Sequence, residues 1–229
     1  MRRLIAILGT VLVLLTPSAS DAGKHPHALV LVHAAPYSTS VGSCAALEAM
    51  VTDCGSAAAQ VGTSETDVLI GVYVFQDAAL DPAPQEPGDP GLHLLGIDWG
   101  IHYDTADLSL AWTLCGDLDL PTDGVNPEGS PYPAWPLPGS GNSVVWVEVQ
   151  RGEVVLVGFF RATVYGPGTL TISGHPVTQW GLQVLDDELY FDPVSAAGYA
   201  GLGGAVGMNP CPTPVKNTSW GRIKSQYGR

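Results

Sequence analysis

The stretch LLGIDWGIHYDTADLSLAW, residues 94–112, alternates apolar and polar side chains along most of its length. From Leu95 to the polar turn 104–107 its large apolar residues occupy the odd positions, and these residues are Leu95, Ile97, Trp99, Ile101 and Tyr103. A period of two is typical of a β-strand with one buried face and one solvated face. The alternation resumes after the turn with Leu108, Leu110, Trp112 and Leu114. Two such runs around a short polar turn predict a β-hairpin.

The same stretch gathers an acid and a base, which raises the question of a catalytic site. Asp98 and His102 lie on the even face of the predicted strand, about 13 Å apart by strand rise. That distance is too long for a direct acid–base pair. We therefore expect Asp98 and His102 to face solvent, and Trp99, Ile101 and Tyr103 to face the core.

The first residues, MRRLIAILGTVLVLLTPSASDAG, have the organisation of a secretory signal peptide. Arg2 and Arg3 precede an apolar run that is too short for a membrane span, and Ala22 ends a small-residue cleavage site. No later stretch is long and apolar enough to cross a bilayer, which predicts no membrane span in the mature chain. We therefore predict a signal peptide at 1–22, a sandwich domain at 23–211 and a basic C-terminal tail at 212–229. The protein is expected to be secreted, either extracellular or at the cell surface.

Composition predicts an all-β fold. The chain has 28 glycines and 19 prolines between runs of β-branched and aromatic residues, a pattern typical of short strands joined by turns. A second hairpin is predicted from the runs at 143–149 and 153–165. About nine strands without a helical layer indicate a two-sheet β-sandwich.

Charge limits the classes of partner. The formal net charge is −13 at pH 7, which argues against binding to nucleic acid or to an anionic membrane. Beyond the signal peptide, every carboxylate lies between Glu48 and Asp192, whereas four of the nine Lys and Arg residues lie within 216–229. The sequence thus predicts an acidic body with a basic tail.

Four cysteines in an exported chain predict disulfides. Three pairings are open, and we predict Cys44–Cys54 with Cys115–Cys211. An unbroken helix would hold Cys44 and Cys54 about 15 Å apart, whereas a disulfide needs Cα atoms within about 7 Å. This pairing therefore requires the segment CAALEAMVTDC to fold back on itself.

Three segments together resemble cohesin modules and related bacterial extracellular sandwiches. They are GIDWGIHYDTADLSLAWTLCGDLD (96–119), SVVWVEV (143–149) and VVLVGFFRATVYGPGTLTI (154–172), and the resemblance covers roughly residues 65–175. It implies a jelly-roll sandwich that binds another protein and catalyses nothing. The C-terminal residues also resemble the tails of uncharacterised secreted bacterial proteins.

Two groups of residues are candidates for small-ligand binding. Asp117, Asp119 and Asp123 offer the oxygen ligands that Ca²⁺ prefers, although their spacing is not that of an EF-hand. Tyr132 and Trp135 lie in the proline-rich stretch PYPAWPLP, which could present aromatic faces to a sugar. The alternatives are that the aspartates form solvated loops and that Trp135 caps the core beneath a long loop. No other cofactor is expected.

The tail is a candidate contact segment. Ser219 can cap a helix from Trp220, and Trp220, Ile223 and Tyr227 then share one face. The alternative is a disordered solubilising tail.

No motif of nucleophilic, zinc or phosphate chemistry is present in the sequence. The sequence therefore predicts a secreted, non-catalytic binding or surface-assembly module with a protein partner. One alternative is a carbohydrate-binding module that uses Tyr132 and Trp135 on a polysaccharide. The other is a secreted hydrolase whose site no motif reveals.

Overall fold

The computed structural model describes residues 25, 27–38, 40–76, 92–122, 132–178 and 181–211. The predicted signal peptide, the tail residues Trp220, Ile223 and Tyr227, and Asp123 lie outside these ranges. One short α-helix, α1, spans Cys44–Glu48, and a 3-10 turn spans Cys54–Ser56. The strands of the described ranges are β1 Leu29–Pro36, β2 Asp67–Phe75, β3 Leu92–His102, β4 Leu108–Leu114, β5 Leu118–Pro121, β6 Gly141–Gly152, β7 Val154–Val164, β8 Gly168–Ser173, β9 Gln183–Asp186, β10 Phe191–Pro193, β11 Ala196–Ala197 and β12 Tyr199–Leu202.

The strands form two sheets, which confirms the predicted all-β sandwich. Sheet A has the order β11-β1-β2-β7-β4, and sheet B has the order β10-β9-β3-β6-β5. In sheet B, β8 also pairs with β3 and β12. The described strands exceed the predicted nine mainly because β5 and β11 have only four and two residues, too few for a period to show in the sequence.

The main core lies between the two sheets. Its centre is an aromatic cluster in which the ring centroid of Trp99 lies 5.3 Å from that of Trp112, 5.0 Å from Trp135 and 5.9 Å from Phe160. Trp99 comes from sheet B, Trp112 and Phe160 come from sheet A, and Trp135 comes from the loop before β6. Aromatic side chains from both sheets and one loop therefore hold the sandwich together.

The alternation of the opening stretch is confirmed, with one change of phase. Ile97, Trp99 and Ile101 are buried and Tyr103 is partly buried. The register of β3 with β6 and β9 shifts between Leu94 and Gly96, as at a β-bulge, which inserts one extra residue and reverses the facing of what precedes it. For this reason Leu94, and not Leu95, is fully buried.

Both predicted hairpins are wrong. β3 lies in sheet B and β4 in sheet A, and β6 and β7 are divided between the sheets in the same way. At the first crossing, the carbonyl of Asp104 accepts from the N–H groups of both Asp107 and Leu108. Alternation identifies the buried face of a strand, and both sheets bury a face against the same core. The period of two therefore cannot distinguish a hairpin from a connection between sheets.

A second core covers the outer face of sheet A. Leu31, Leu69, Tyr73 and Phe159 point away from the main core and pack against Leu47 and its neighbours in residues 37–58. The hydroxyl of Tyr73 donates to the carbonyl of Leu47 at 2.9 Å, and burial raises the pKa of Tyr73. The strands β1, β2 and β7 are accordingly apolar on both faces.

The predicted disulfide pairing is also wrong. Cys44 bonds to Cys115, and Cys54 bonds to Cys211. Cys44 and Cys54 each open a separate helical turn, capped by Ser43 and Asp53 respectively, so the segment between them does not close on itself. Each bond instead ties one end of this segment to a different part of the sandwich, one just after β4 and the other beyond β12.

Candidate functional site

The outer face of sheet B carries an apolar row that crosses five of its seven strands. Paired positions run from Phe191 on β10 to Leu185 on β9, then to Gly96 on β3, Val145 on β6 and Leu118 on β5. We call Phe191, Leu185, Val145 and Leu118 the apolar row. Adjacent strands lie about 4.8 Å apart, which makes the row about 19 Å wide.

The apolar row is exposed at both ends. Phe191 is 51% exposed and Leu118 is 53% exposed, while Val145 and Leu185 are partly buried. Leu120 is 57% exposed one pair further along β5, and Val147 is 83% exposed on β6. Exposed apolar side chains that are contiguous, rather than scattered, are typical of an interaction surface.

The glycine at the centre of the row brings the neighbouring strands close together. A Cβ atom at Gly96 would lie 3.1 Å from the Val144 carbonyl oxygen and 3.5 Å from the Leu185 Cβ atom. The side chain of Leu185 thus fills the space above Gly96, and the row is continuous despite the missing side chain.

A polar group borders the apolar row on one side. Asp98 pairs with Ser143 and Gln183, and the Gln183 amide donates to the Asp98 carboxylate. Asp98 is therefore partly buried and hydrogen-bonded, which corrects the expectation that it faces solvent freely. The prediction for His102 is confirmed, because its side chain is exposed.

His175 lies close to this polar group in a fixed tautomer. Its Nδ1 atom accepts from the N–H groups of Val177 and Thr178 at 3.2 and 3.3 Å, so Nε2 carries the ring proton. Burial lowers the pKa of His175, and the negative charge of Asp98 opposes that shift. The imidazole is therefore neutral near pH 7 and fastens the turn at 175–178.

A charged group borders the row on the other side. The Nδ1 atom of His93 lies 2.9 Å from the Asp187 carboxylate, and the Arg151 guanidinium lies 3.2 Å from its Nε2 atom. A guanidinium can only donate, so the Nε2 atom of His93 accepts from Arg151 and its Nδ1 atom donates to Asp187. The imidazole thus connects one cation to one anion across sheet B.

The remaining polar residues of the opening stretch line an open cleft of about 670 Å³ at one end of the sandwich, together with Thr169 and Thr171. The hydroxyl of Tyr103 donates to the Pro136 carbonyl, and the Asp104 carboxylate accepts from the Ala106 N–H. These bonds shape the turn. No hydrogen bond links a base to a nucleophile in the described lining of this cleft.

The predicted aromatic platform is not formed. Trp135 is partly buried, and its ring centroid lies 5.0 Å from that of Trp99 and 5.6 Å from that of Trp112. It packs against the main core, as in the alternative interpretation of this loop. Tyr132 is partly buried, and the ring of Trp135 does not extend an aromatic surface beside it.

The two predicted calcium ligands that the structure describes hold backbone and amide groups instead. The Asp117 carboxylate accepts from the Val147 N–H at 2.7 Å, and the Asp119 carboxylate accepts from the Asn142 amide at 3.4 Å. Over the described ranges, no three His, Cys, Asp or Glu side chains are placed to hold a metal ion together.

The sequence did not predict the apolar row. Leu118 and Leu120 alternate with Asp119 in the sequence, but this pattern does not say which side is solvated. The row also depends on the register of five strands between residues 96 and 191. The exposed alternation at 118–120 is the one signal that could have indicated it.

The similarity of this chain to known proteins lies in the fold alone. No family model and no curated protein matches this chain. Among solved structures, a type II cohesin domain from the cellulosome of Acetivibrio cellulolyticus matches with a TM-score of 0.43 and 9% identity, covering 78% of this chain and 96% of that one. The chain is similar to cohesin modules.

Two further cohesins show the same level of similarity. A type I cohesin, solved in a cohesin–dockerin complex from Clostridium thermocellum, matches with a TM-score of 0.40 and 7% identity over 77% of this chain and 92% of that one. The cohesin module of a Clostridium perfringens family 33 glycoside hydrolase matches with a TM-score of 0.38 and 9% identity over 63% and 90%. These similarities concern the arrangement of strands alone.

Proposed function

We propose that this protein is an exported, non-catalytic module that binds a protein partner on the outer face of sheet B. The observation that carries the proposal is the exposed apolar row. The row crosses five strands of sheet B, whereas the corresponding face of sheet A is covered by a second core. The sequence resemblance to cohesin modules implies the same class of function.

The size and chemistry of this face favour a protein over a sugar. A protein interface usually buries about 800 Å² on each partner, and a flat row about 19 Å wide suits such a contact. Sugar-binding surfaces rely on exposed aromatic faces. Phe191 is the one aromatic residue of the row, and Trp135 is packed in the core.

The charges around the row favour a partner with a basic rim. Asp98 borders the row on one side and Asp187 on the other, within a chain of net charge −13. Arg151 is the cation that faces Asp187 through His93. Charges at the rim of an interface act mainly on the association rate and on specificity, so binding should weaken as salt rises.

Export and the lack of catalysis rest on separate observations. The sequence begins with a predicted signal peptide, and both disulfides suit an oxidising compartment. A helix able to span a bilayer does not occur in the described part of the chain. Gln183 donates to Asp98, His175 accepts from two backbone N–H groups, and His93 contacts Asp187, which are contacts that structural polar residues make.

The test uses two valines that are both well exposed and differ in position. Val147 is 83% exposed beside the apolar row, and Val206 is 70% exposed outside it. Val147→Glu should raise the dissociation constant for a captured and purified partner by about 10-fold or more, as expected for a charge introduced into an interface. Val206→Glu should leave it unchanged.

Equal affinities for the two variants would contradict the proposed surface. Retention of the purified protein on insoluble polysaccharide, with no protein partner, would favour the carbohydrate-binding alternative. Turnover of a chromogenic substrate panel would favour the hydrolase. Either result would contradict the proposed function.

A further inference from the structure

The strand β4 is an edge that the described chain leaves unpaired. It pairs with β7 on one side, and sheet A ends there. Its sequence, LSLAWTL, has no charged residue and no proline over seven positions. Long, uncharged edges are templates for pairing with another strand, and proteins usually blunt them.

The other four sheet edges are short. β5 has four residues and ends at Pro121, β10 has three and ends at Pro193, β11 has two, and β12 has four and is bonded on its free side through Tyr199 and Met208. Short edge strands and prolines both prevent extension of a sheet. β4 therefore differs from every other edge of the described sheets.

The hydrogen bonds of β4 show which of its backbone groups point outward. The Tyr165 N–H donates to the Asp107 carbonyl, and the Cys115 N–H donates to the Val157 carbonyl. In an antiparallel pair the bonded positions alternate, so odd-numbered residues of β4 bond to β7. The N–H and C=O groups of Leu110 and Trp112 thus point away from the sheet, and no backbone bond from the described chain reaches them.

The side chains of β4 also leave room for a neighbouring strand. Leu110, Trp112 and Leu114 face the main core but remain partly exposed. The opposite face carries the small, exposed residues Ser109, Ala111 and Thr113. An added strand would cover the exposed parts of the first set without colliding with the second.

We propose that two copies of this protein pair through β4, antiparallel, with Ala111 on the two-fold axis. In this register Leu110 lies opposite Trp112 of the partner subunit, and Ser109 lies opposite Thr113 of the partner subunit. Leu110 and Trp112 then exchange backbone hydrogen bonds with Trp112 and Leu110 of the partner subunit, since their N–H and C=O groups point outward. An isologous contact of this kind closes on itself and joins the two A sheets into one.

The sequence of β4 is the reason for assigning a second copy as the occupant. LSLAWTL is nearly symmetric about Ala111, so antiparallel pairing of two copies sets apolar residues opposite apolar ones and Ser109 opposite Thr113 of the partner subunit, a favourable cross-strand pair. β4 carries no charge, so the contact adds nothing to the repulsion between two chains of net charge −13.

The test measures self-association of the mature, disulfide-bonded protein by sedimentation velocity over a range of concentrations. Ala111→Glu places two carboxylates side by side on the two-fold axis, where like charges repel, and should weaken dimerisation by about 10-fold or more. Within one copy the new side chain is exposed and lies beside Arg161 on β7, so the melting temperature should hold. High salt should strengthen dimerisation of the unmodified protein.

The matched control is Ala58→Glu, which adds the same charge at an exposed alanine beside β1, three strands away from β4. It should leave dimerisation unchanged. Amide hydrogen exchange gives a second reading that needs no variant. The N–H groups of Leu110 and Trp112 should exchange quickly in dilute protein and slowly in concentrated protein. A protein that stays monomeric throughout, or a dimer that Ala111→Glu and Ala58→Glu affect equally, would contradict the proposal.

Discussion

The outer face of sheet A is buried beneath residues 37–58, whereas the outer face of sheet B exposes apolar side chains to solvent. The cover on sheet A is held at both ends by disulfides, Cys44–Cys115 and Cys54–Cys211. Sheet B has no such cover in the described chain, and its polar residues are arranged around the apolar row. The comparison indicates that one face contributes to stability, which leaves the other face available for the binding proposed above.

The largest expected effect comes from a matched pair of phenylalanines. Phe159 is buried in the second core on sheet A, and Phe191 is 51% exposed on sheet B. Phe159→Ala should lower the free energy of unfolding by about 3–5 kcal/mol, and Phe191→Ala by about 0.5 kcal/mol or less, as for surface changes. Chemical denaturation measures both. Equal losses would remove the distinction between the two faces.

The cover itself can be loosened through its second disulfide. Replacing Cys54 and Cys211 by serine opens a bond between residues 157 positions apart and should cost about 2–5 kcal/mol of stability. The loss should appear first as faster amide exchange in residues 37–58, with the strands of sheet B unchanged. Non-reducing peptide mapping of the unmodified protein should link Cys54 to Cys211, and a Cys44–Cys54 peptide would contradict the account.

The period of two in the opening stretch correctly predicted the core-facing side chains of β4, and of β3 from Ile97 onward, because it reflects the local geometry of a strand. It could not predict their sheets, since Ile101 and Leu108 face one core from opposite sides. The run at 153–165 correctly indicated the strand β7, and the apolar residues on both faces of β7 reflect the second core.

Long-range pairing accounts for what the sequence did not reveal. Cys54 meets Cys211 only once both sheets are formed, and no local spacing encodes that contact. The apolar row joins Leu118 to Phe191 through three intervening strands. The proline-rich loop with Trp135 is a second example. It was a candidate for displaying an aromatic ring to a sugar, and it packs that ring against the main core instead.

The smallest expected effect is a pH dependence of stability that comes from His175, at the border of the apolar row. Burial holds the pKa of His175 below its ordinary value of 6.5, so the unfolded chain binds the proton more readily than the folded one. Stability should therefore be constant above about pH 6.5 and fall as the pH drops below it. Protonation of the His175 Nδ1 atom also removes the acceptor for the Val177 and Thr178 N–H groups.

A series of denaturation curves from pH 7.5 to pH 5 checks this prediction. His175→Gln should reduce the slope, while His102→Gln, at an exposed position, should leave it unchanged. His33 contributes in the same direction, since burial also lowers its pKa. A slope that His175→Gln does not alter would contradict the assigned tautomer.

The central claim is that the outer face of sheet A stabilises the fold and the outer face of sheet B binds the partner. Amide hydrogen exchange on the complex with a purified protein partner tests it most directly. The account predicts new protection in β5, β6 and the β9–β10 pair, around Leu118, Val147 and Phe191, with no change in residues 37–58 over sheet A. Protection confined to residues 37–58, with β5 and β6 unchanged, would show that the covered face is the one that binds and would contradict the account.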